Sequence, residues 1–133
     1  MQMKRSDILD RWTILLMKSR LDPDAARELE GFFLEIPRII LETKEWTTGD
    51  STRFLVAVVG LMEANARIWE NEAALRKEIP SDPSAQGDPL ADKEEARRAR
   101  MIRQYNGQRV RARKEVDVLF GEIPDNKVEH TSA

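Results

Sequence analysis

Eight positions between residues 54 and 79 restrict this chain more than any other feature. Phe54, Val58, Leu61, Asn65, Ile68, Glu72, Leu75 and Ile79 follow one another in alternating steps of four and three. That repeat keeps side chains on one face of a helix and matches the seam of a helix packed on a neighbour. A strand would need a period of two. Six of the eight are apolar, whereas Asn65 and Glu72 are an amide and a carboxylate. Polar groups facing inward need partners, because burial without one is costly. The seam therefore predicts both a long helix and a second element able to answer its two polar positions.

The remaining punctuation divides the chain into four helices. Ser6 or Asp7 can cap the first, which reaches about Arg20, with Ile8, Leu9, Trp12, Leu15 and Leu16 on its apolar side. Asp22 and Pro23 suit the cap and first turn of the second, in which Pro37 should cause a kink or break. Asp50 or Ser51 can cap the third, from about 51 to 79. Three prolines and a glycine mark 80–89 as a loop, and the fourth runs from about 90 to 120. Helices three and four should form an antiparallel hairpin crossed by the first two, an all-α bundle of about four helices. Residues 1–121 read as one domain and 122–133 as a flexible polar tail.

Folding the hairpin about residue 85 sets Asn65 opposite roughly 105 and Glu72 opposite roughly 98. The expected partners are then Asn106 and Arg109 for the amide, and Arg97, Arg98 or Arg100 for the carboxylate. Asn65, Glu72, Asn106 and Arg109 together make a polar layer between helices three and four.

Three short stretches resemble the signatures of a family of small, uncharacterised, all-helical bacterial proteins. "DILDRWTILLMK" supplies Asp10, Arg11, Thr13, Ile14, Leu15 and Lys18. "NARIWENEAALR" supplies Asn65, Trp69, Glu70, Glu72 and Arg76, and "YNGQRVRARKEVD" supplies Tyr105, Asn106, Arg109, Lys114, Val116 and Asp117. The likeness spans about 7 to 117. Ala73 and Gly107 depart from it, standing where the family favours acids, as does the Pro-rich loop. The resemblance implies a helical bundle of unknown function, in a setting of sugar-transfer and cell-envelope polysaccharide genes.

Several chemistries are disfavoured by composition. No cysteine is present and the single His130 lies in the tail, so there is neither a disulfide framework nor a thiolate zinc site. Asp7 with Asp10, and Glu42 with Glu45, have the i, i+3 spacing by which helical pyrophosphohydrolases hold a hard cation. Glu63 and Glu70 could join Asp7 and Asp10 if the helices converge. With 24 acids in the chain such pairs arise by chance, and no metal or cofactor is expected. Residues 91–114 hold nine Lys or Arg against three acids, an excess of six, which leaves about −8 on the remainder given a net charge of −2. No aromatic platform accompanies this basic run, so it reads as a face answering the acidic remainder and not as a nucleic-acid surface. The longest apolar run, "FLVAVVGLM" at 54–62, is too short to span a bilayer. No uninterrupted apolar stretch follows the basic residues of the amino terminus, so a cytoplasmic protein is expected.

Two functional classes remain. In one, the polar layer fixes helix register and the protein works through protein contacts, as a homo-oligomer or accessory subunit. Leu55, Val59 and Met62 flank the main seam and Trp69 continues their stripe, so Val59, Met62 and Trp69 mark the expected interface. In the other, the Asn65, Glu72, Asn106 and Arg109 layer opens to a cleft and binds a phosphosugar or nucleotide, with or without catalysis. Glu72 is expected to be buried in salt-bridge reach of an Arg from the fourth helix in either case. No catalytic residue can be assigned.

Overall fold

The computed structural model describes residues 3–78 and 89–124. It contains five α-helices and, among the described residues, no strand: α1 (Arg5–Lys18), α2 (Pro23–Glu30), α3 (Glu35–Glu42), α4 (Thr48–Glu78) and α5 (Pro89–Leu119). The expectation of an all-α bundle holds, with one helix more than the four anticipated.

The additional helix arises between Gly31 and Leu34, where the chain makes turns instead of bending at Pro37. Pro37 falls in the first turn of α3, where its missing N–H has no intrahelical acceptor to lose. The break is thus displaced N-terminally to the position where proline is tolerated. Asp22 caps α2 as expected, accepting a hydrogen bond from Asp24 N at 2.9 Å, with Pro23 in the first turn. At α4 the cap is Thr47, whose hydroxyl accepts from Asp50 N at 3.1 Å, so the helix starts a little earlier than Asp50 or Ser51 would allow.

Neither Ser6 nor Asp7 caps α1. Arg5 is already helical and Ser6 is buried, while Glu122 from the far end of the chain accepts from Arg5 N at 3.3 Å and from its Nη1 at 2.8 Å. Lys4 Nζ donates to the Ile123 carbonyl at 2.8 Å. Glu122 and Ile123, expected within a frayed tail, therefore pin the start of α1, after Gly121 has turned the chain at φ 67°. A positive φ of that size favours glycine. The remainder of the tail, 125–133, and the Pro-rich loop at 80–88 lie outside the described residues, as does Ile79 at the end of the seam.

Helices α4 and α5 form the antiparallel hairpin. Arg53 pairs with Glu115 at 2.6 Å, Gln108 donates to the Gly60 carbonyl at 3.1 Å and Arg98 to Asn71 at 3.3 Å. The paired numbers add to 168 or 169, a fold about residue 84. Small residues line this contact: Ala57, Ala64, Gly107 and Ala112 are buried, and a Cβ on Gly60 would stand 3.8 Å from that of Ala112. They let the two backbones approach closely. Helix α1 lies in the groove of the hairpin, and α2 and α3 pack on α1. Leu9, Ile39, Phe54, Leu61 and Val116 join in one apolar core. At one end of it Trp46 lies 5.5 Å from Phe54 and 4.7 Å from Phe120 between ring centroids. Trp12, placed by its spacing on the apolar side of α1, and Trp46 are half-buried and pack against this core.

Candidate functional sites: a buried polar ladder and an exposed apolar face

Of the four residues expected in the polar layer, Asn65 and Arg109 come together, and they do so through Asp10 of α1. Asp10 is buried and accepts from both Arg109 Nε, at 3.0 Å, and Arg109 Nη2, at 2.6 Å, the two-pronged geometry in which guanidinium holds carboxylate. Asn65 Nδ2 donates to Asp10 Oδ1 at 2.9 Å and to the Thr13 hydroxyl at 2.8 Å. Thr13 donates in turn to the Asp10 carbonyl at 2.8 Å. The hydrogen bond to Asp10 raises the affinity of Arg109 for its proton above the ordinary arginine value. Burial opposes that shift, and the charges of Asp10 and Glu72 add to it.

Two further pairs extend this arrangement along α1 and α5. Asp7 binds Arg113, and Lys4 Nζ lies 3.6 Å from buried Asp117. On α1 the rungs come every three residues, 4, 7 and 10. On α5 they come every four, 117, 113 and 109, so the ladder follows one face of each antiparallel helix. Asp117 Oδ1 and the Ser6 hydroxyl are buried with no hydrogen-bond partner. Asp7 and Asp10, the acid pair with cation-binding spacing, are therefore occupied by arginines, and Glu42 binds Arg5. Among the described residues no three His, Cys, Asp or Glu side chains are placed to share a metal ion.

Two expectations are corrected here. Asn65 is answered by α1, not by the neighbourhood of Asn106, which is half-buried. Glu72 is exposed and influences Arg109 only through its charge, whereas the inward position facing Arg98 is Asn71, 4% exposed and also bonded to the Arg67 carbonyl at 2.7 Å. The reason lies in helix length. Helix α1 runs parallel to α4 and sets Thr13 beside Asn65, so the level of Glu72, seven residues on, corresponds to residue 20, beyond the end of α1 at Lys18. The seam continues, but its cover stops. Asp10, Thr13, Asn65 and Arg109 each occur in the quoted family-like stretches, and those three stretches meet in this one network. The regular spacing of Lys4, Asp7 and Asp10 against Arg109, Arg113 and Asp117 was a readable signal that the hairpin-only picture missed.

The basic run of α5 also turns inward in part. Arg98, Arg109 and Arg113 engage Asn71, Asp10 and Asp7, and Arg97 pairs with Glu94 on its own helix.

The outward side of α4 is different in kind. Leu55, Val56, Val59 and Met62 are 62%, 66%, 61% and 44% exposed, while Trp69, expected to continue the stripe, is half-buried. Ile40 of α3 is exposed nearby. Because α3 packs on α1 and not closely on α4, an apolar groove of about 330 Å³ remains between them, lined by Trp12, Ile36, Ile40, Leu55 and Val58 among others. A second groove of about 480 Å³, over the start of α1 and α3, mixes Ile8 and Phe32 with Arg5, Glu35, Arg38 and Glu42. No described helix is long and apolar enough to cross a membrane. Compared with protein-family models, with curated proteins and with solved structures, the chain matches none of them.

Proposed function

We propose that this protein acts as a helical interaction or accessory protein, docking another polypeptide on the outward face of α4. The observation that carries this reading is the contiguous set Leu55, Val56, Val59 and Met62, four large apolar side chains exposed on two turns of one helix. Scattered apolar residues on a surface are ordinary, but a continuous row marks a place where water is displaced by a partner. The family resemblance adds a setting beside cell-envelope polysaccharide chemistry, in which such a protein would be an accessory to sugar-transfer enzymes.

The polar layer supports this reading and weakens the ligand-binding one. Arg109 directs two nitrogens at Asp10, and Asn65 directs its amide at Asp10 and Thr13. Groups committed to one another in this way have little capacity left for a phosphosugar. Their simplest use is to fix helix register, as polar seam residues do in coiled coils.

Two measurements test the proposal. Melting of the wild-type chain against phosphosugars and nucleotide sugars, with and without magnesium, should show no shift. The double variant V59K/M62K should keep its helicity and lose the associations that the wild-type chain makes. A ligand-induced rise in Tm that Arg109→Lys abolishes, together with unchanged association in V59K/M62K, would reverse the assignment in favour of ligand binding.

A further inference from the structure

The outward face of α4 carries a second regular seam. Thr48, Thr52, Leu55, Val59, Met62, Ala66, Trp69 and Ala73 follow in steps of 4, 3, 4, 3, 4, 3 and 4, and none of the eight is charged. The first five are exposed and the last three half-buried. This is the spacing with which one helix packs lengthwise on another, and none of the described helices covers the exposed part.

We propose that the occupant is a second copy of the chain, its α4 laid antiparallel on this seam about a two-fold axis between Val59 and Met62. The inference rests on the interaction reading above and names its partner. Three observations favour a reversed copy. The step pattern reads the same in both directions, so a reversed copy meets it position for position. Thr48 then faces Ala73, Thr52 faces Trp69, Leu55 faces Ala66 and Val59 faces Met62. The two bulkiest mismatches are thereby relieved, Trp69 standing opposite Thr52 and Leu55 opposite Ala66, whereas a parallel copy would stack Trp69 on Trp69 and Ala66 on Ala66. A close-packed interface needs the former.

The helix dipoles agree. An antiparallel pair sets the dipoles of the two α4 helices against each other, whereas a parallel pair aligns them.

The size is also adequate. The seam covers 25 residue steps, about 38 Å of helix, and a strip about 10 Å wide along it gives roughly 400 Å² per copy. Ile40, Val56 and the walls of the adjoining groove border this strip. With them the pair approaches the roughly 1,200 Å² total at which stable interfaces begin. The two-fold arrangement closes on itself and buries the same face on both copies.

The absence of native cysteine allows a direct test. L55C and A66C, made separately with different tags, should each keep wild-type helicity. Oxidation of their mixture should give mainly the mixed disulfide, because the two sites face each other across the axis. Either variant alone should crosslink poorly: two Leu55 positions would lie about 16 Å apart along the axis, beyond disulfide reach. Sedimentation equilibrium should show a wild-type dimer that becomes monomeric in V59K/M62K. A dimer in which L55C crosslinks chiefly to itself overturns the antiparallel register and leaves the interaction reading standing. A wild-type chain that stays monomeric at about 1 mM overturns the second copy as occupant. The interaction reading would then be decided by the ligand panel and by the effect of V59K/M62K on other partners.

Discussion

The two sides of α4 each hold residues that run against the usual distribution of polarity. Toward α1 it presents Asn65 to a buried carboxylate, and toward α5 it presents Asn71 to a guanidinium, both amides about 95% covered. Away from the bundle it presents Leu55, Val56, Val59 and Met62 largely exposed. The inner polar groups are satisfied within the monomer, and the outer apolar groups are not. Buried charge pairs contribute little net stability but penalise every wrong pairing, so the inner side specifies one arrangement of helices. An uncovered apolar row contributes nothing to the monomer and becomes favourable when another surface covers it. One helix thus holds a register device on one side and an adhesive surface on the other.

Substitutions across α4 should break this contrast if it is wrong. Leu61→Ala removes a fully buried side chain and should cost as much as about 5 kcal/mol. Val59→Ala, two residues away and outward, should cost less than about 0.5 kcal/mol at concentrations where the chain is monomeric. Urea titrations of both variants check this; similar losses would mean that the outward face is core. Asp10→Ala strips Arg109 and Asn65 of their common acceptor and should cost about 3 kcal/mol, toward the lower end for a buried pair because Arg109 is still 29% exposed. Replacing the pair together, as D10L/R109M, should restore much of that loss, which thermal melting will show.

Asn65→Ala should cost about 2 kcal/mol, since it leaves Asp10 and Thr13 each without one partner in a buried site. Glu72→Ala should change stability by less than about 0.5 kcal/mol. A large effect there would restore the buried pair that the seam alone implied.

The smallest expected effect concerns acid. Hydrogen bonding to Arg97, with a lesser contribution from Arg98, holds the Glu94 carboxyl below the ordinary glutamate range. A lowered folded pKa gives stability that is present above the unfolded value near 4.5 and is lost as pH falls through the folded one. The start of α5 should therefore loosen only in that acid window, observable as the loss of amide protection near 94–98. Loosening at neutral pH would contradict it.

Much of this architecture was legible in local spacing. The apolar rows announced α1 and α4, the prolines of 80–89 announced where α5 begins, Asp22 and Pro23 announced the start of α2, and Asn65 announced a polar contact inside the bundle. The partner of Asn65 was not legible, because apolar periodicity shows that a face is covered without showing by what. Small residues at 57, 60 and 64 brought α5 onto a face adjacent to the seam and left the seam itself to α1.

The amino-acid sequence by itself determined that the chain is helical, where its long helices lie, and that α4 carries apolar side chains on more than one face. These follow from interactions between residues three or four apart, which any single helix satisfies alone. Only the tertiary structure decided that Asp10 stands between Asn65 and Arg109, that Glu72 lies beyond the reach of α1, and that Glu122 caps a helix 117 residues upstream. Those outcomes depend on which distant faces meet and where each covering helix ends. They are set by the packing of the whole molecule, and no local repeat encodes them.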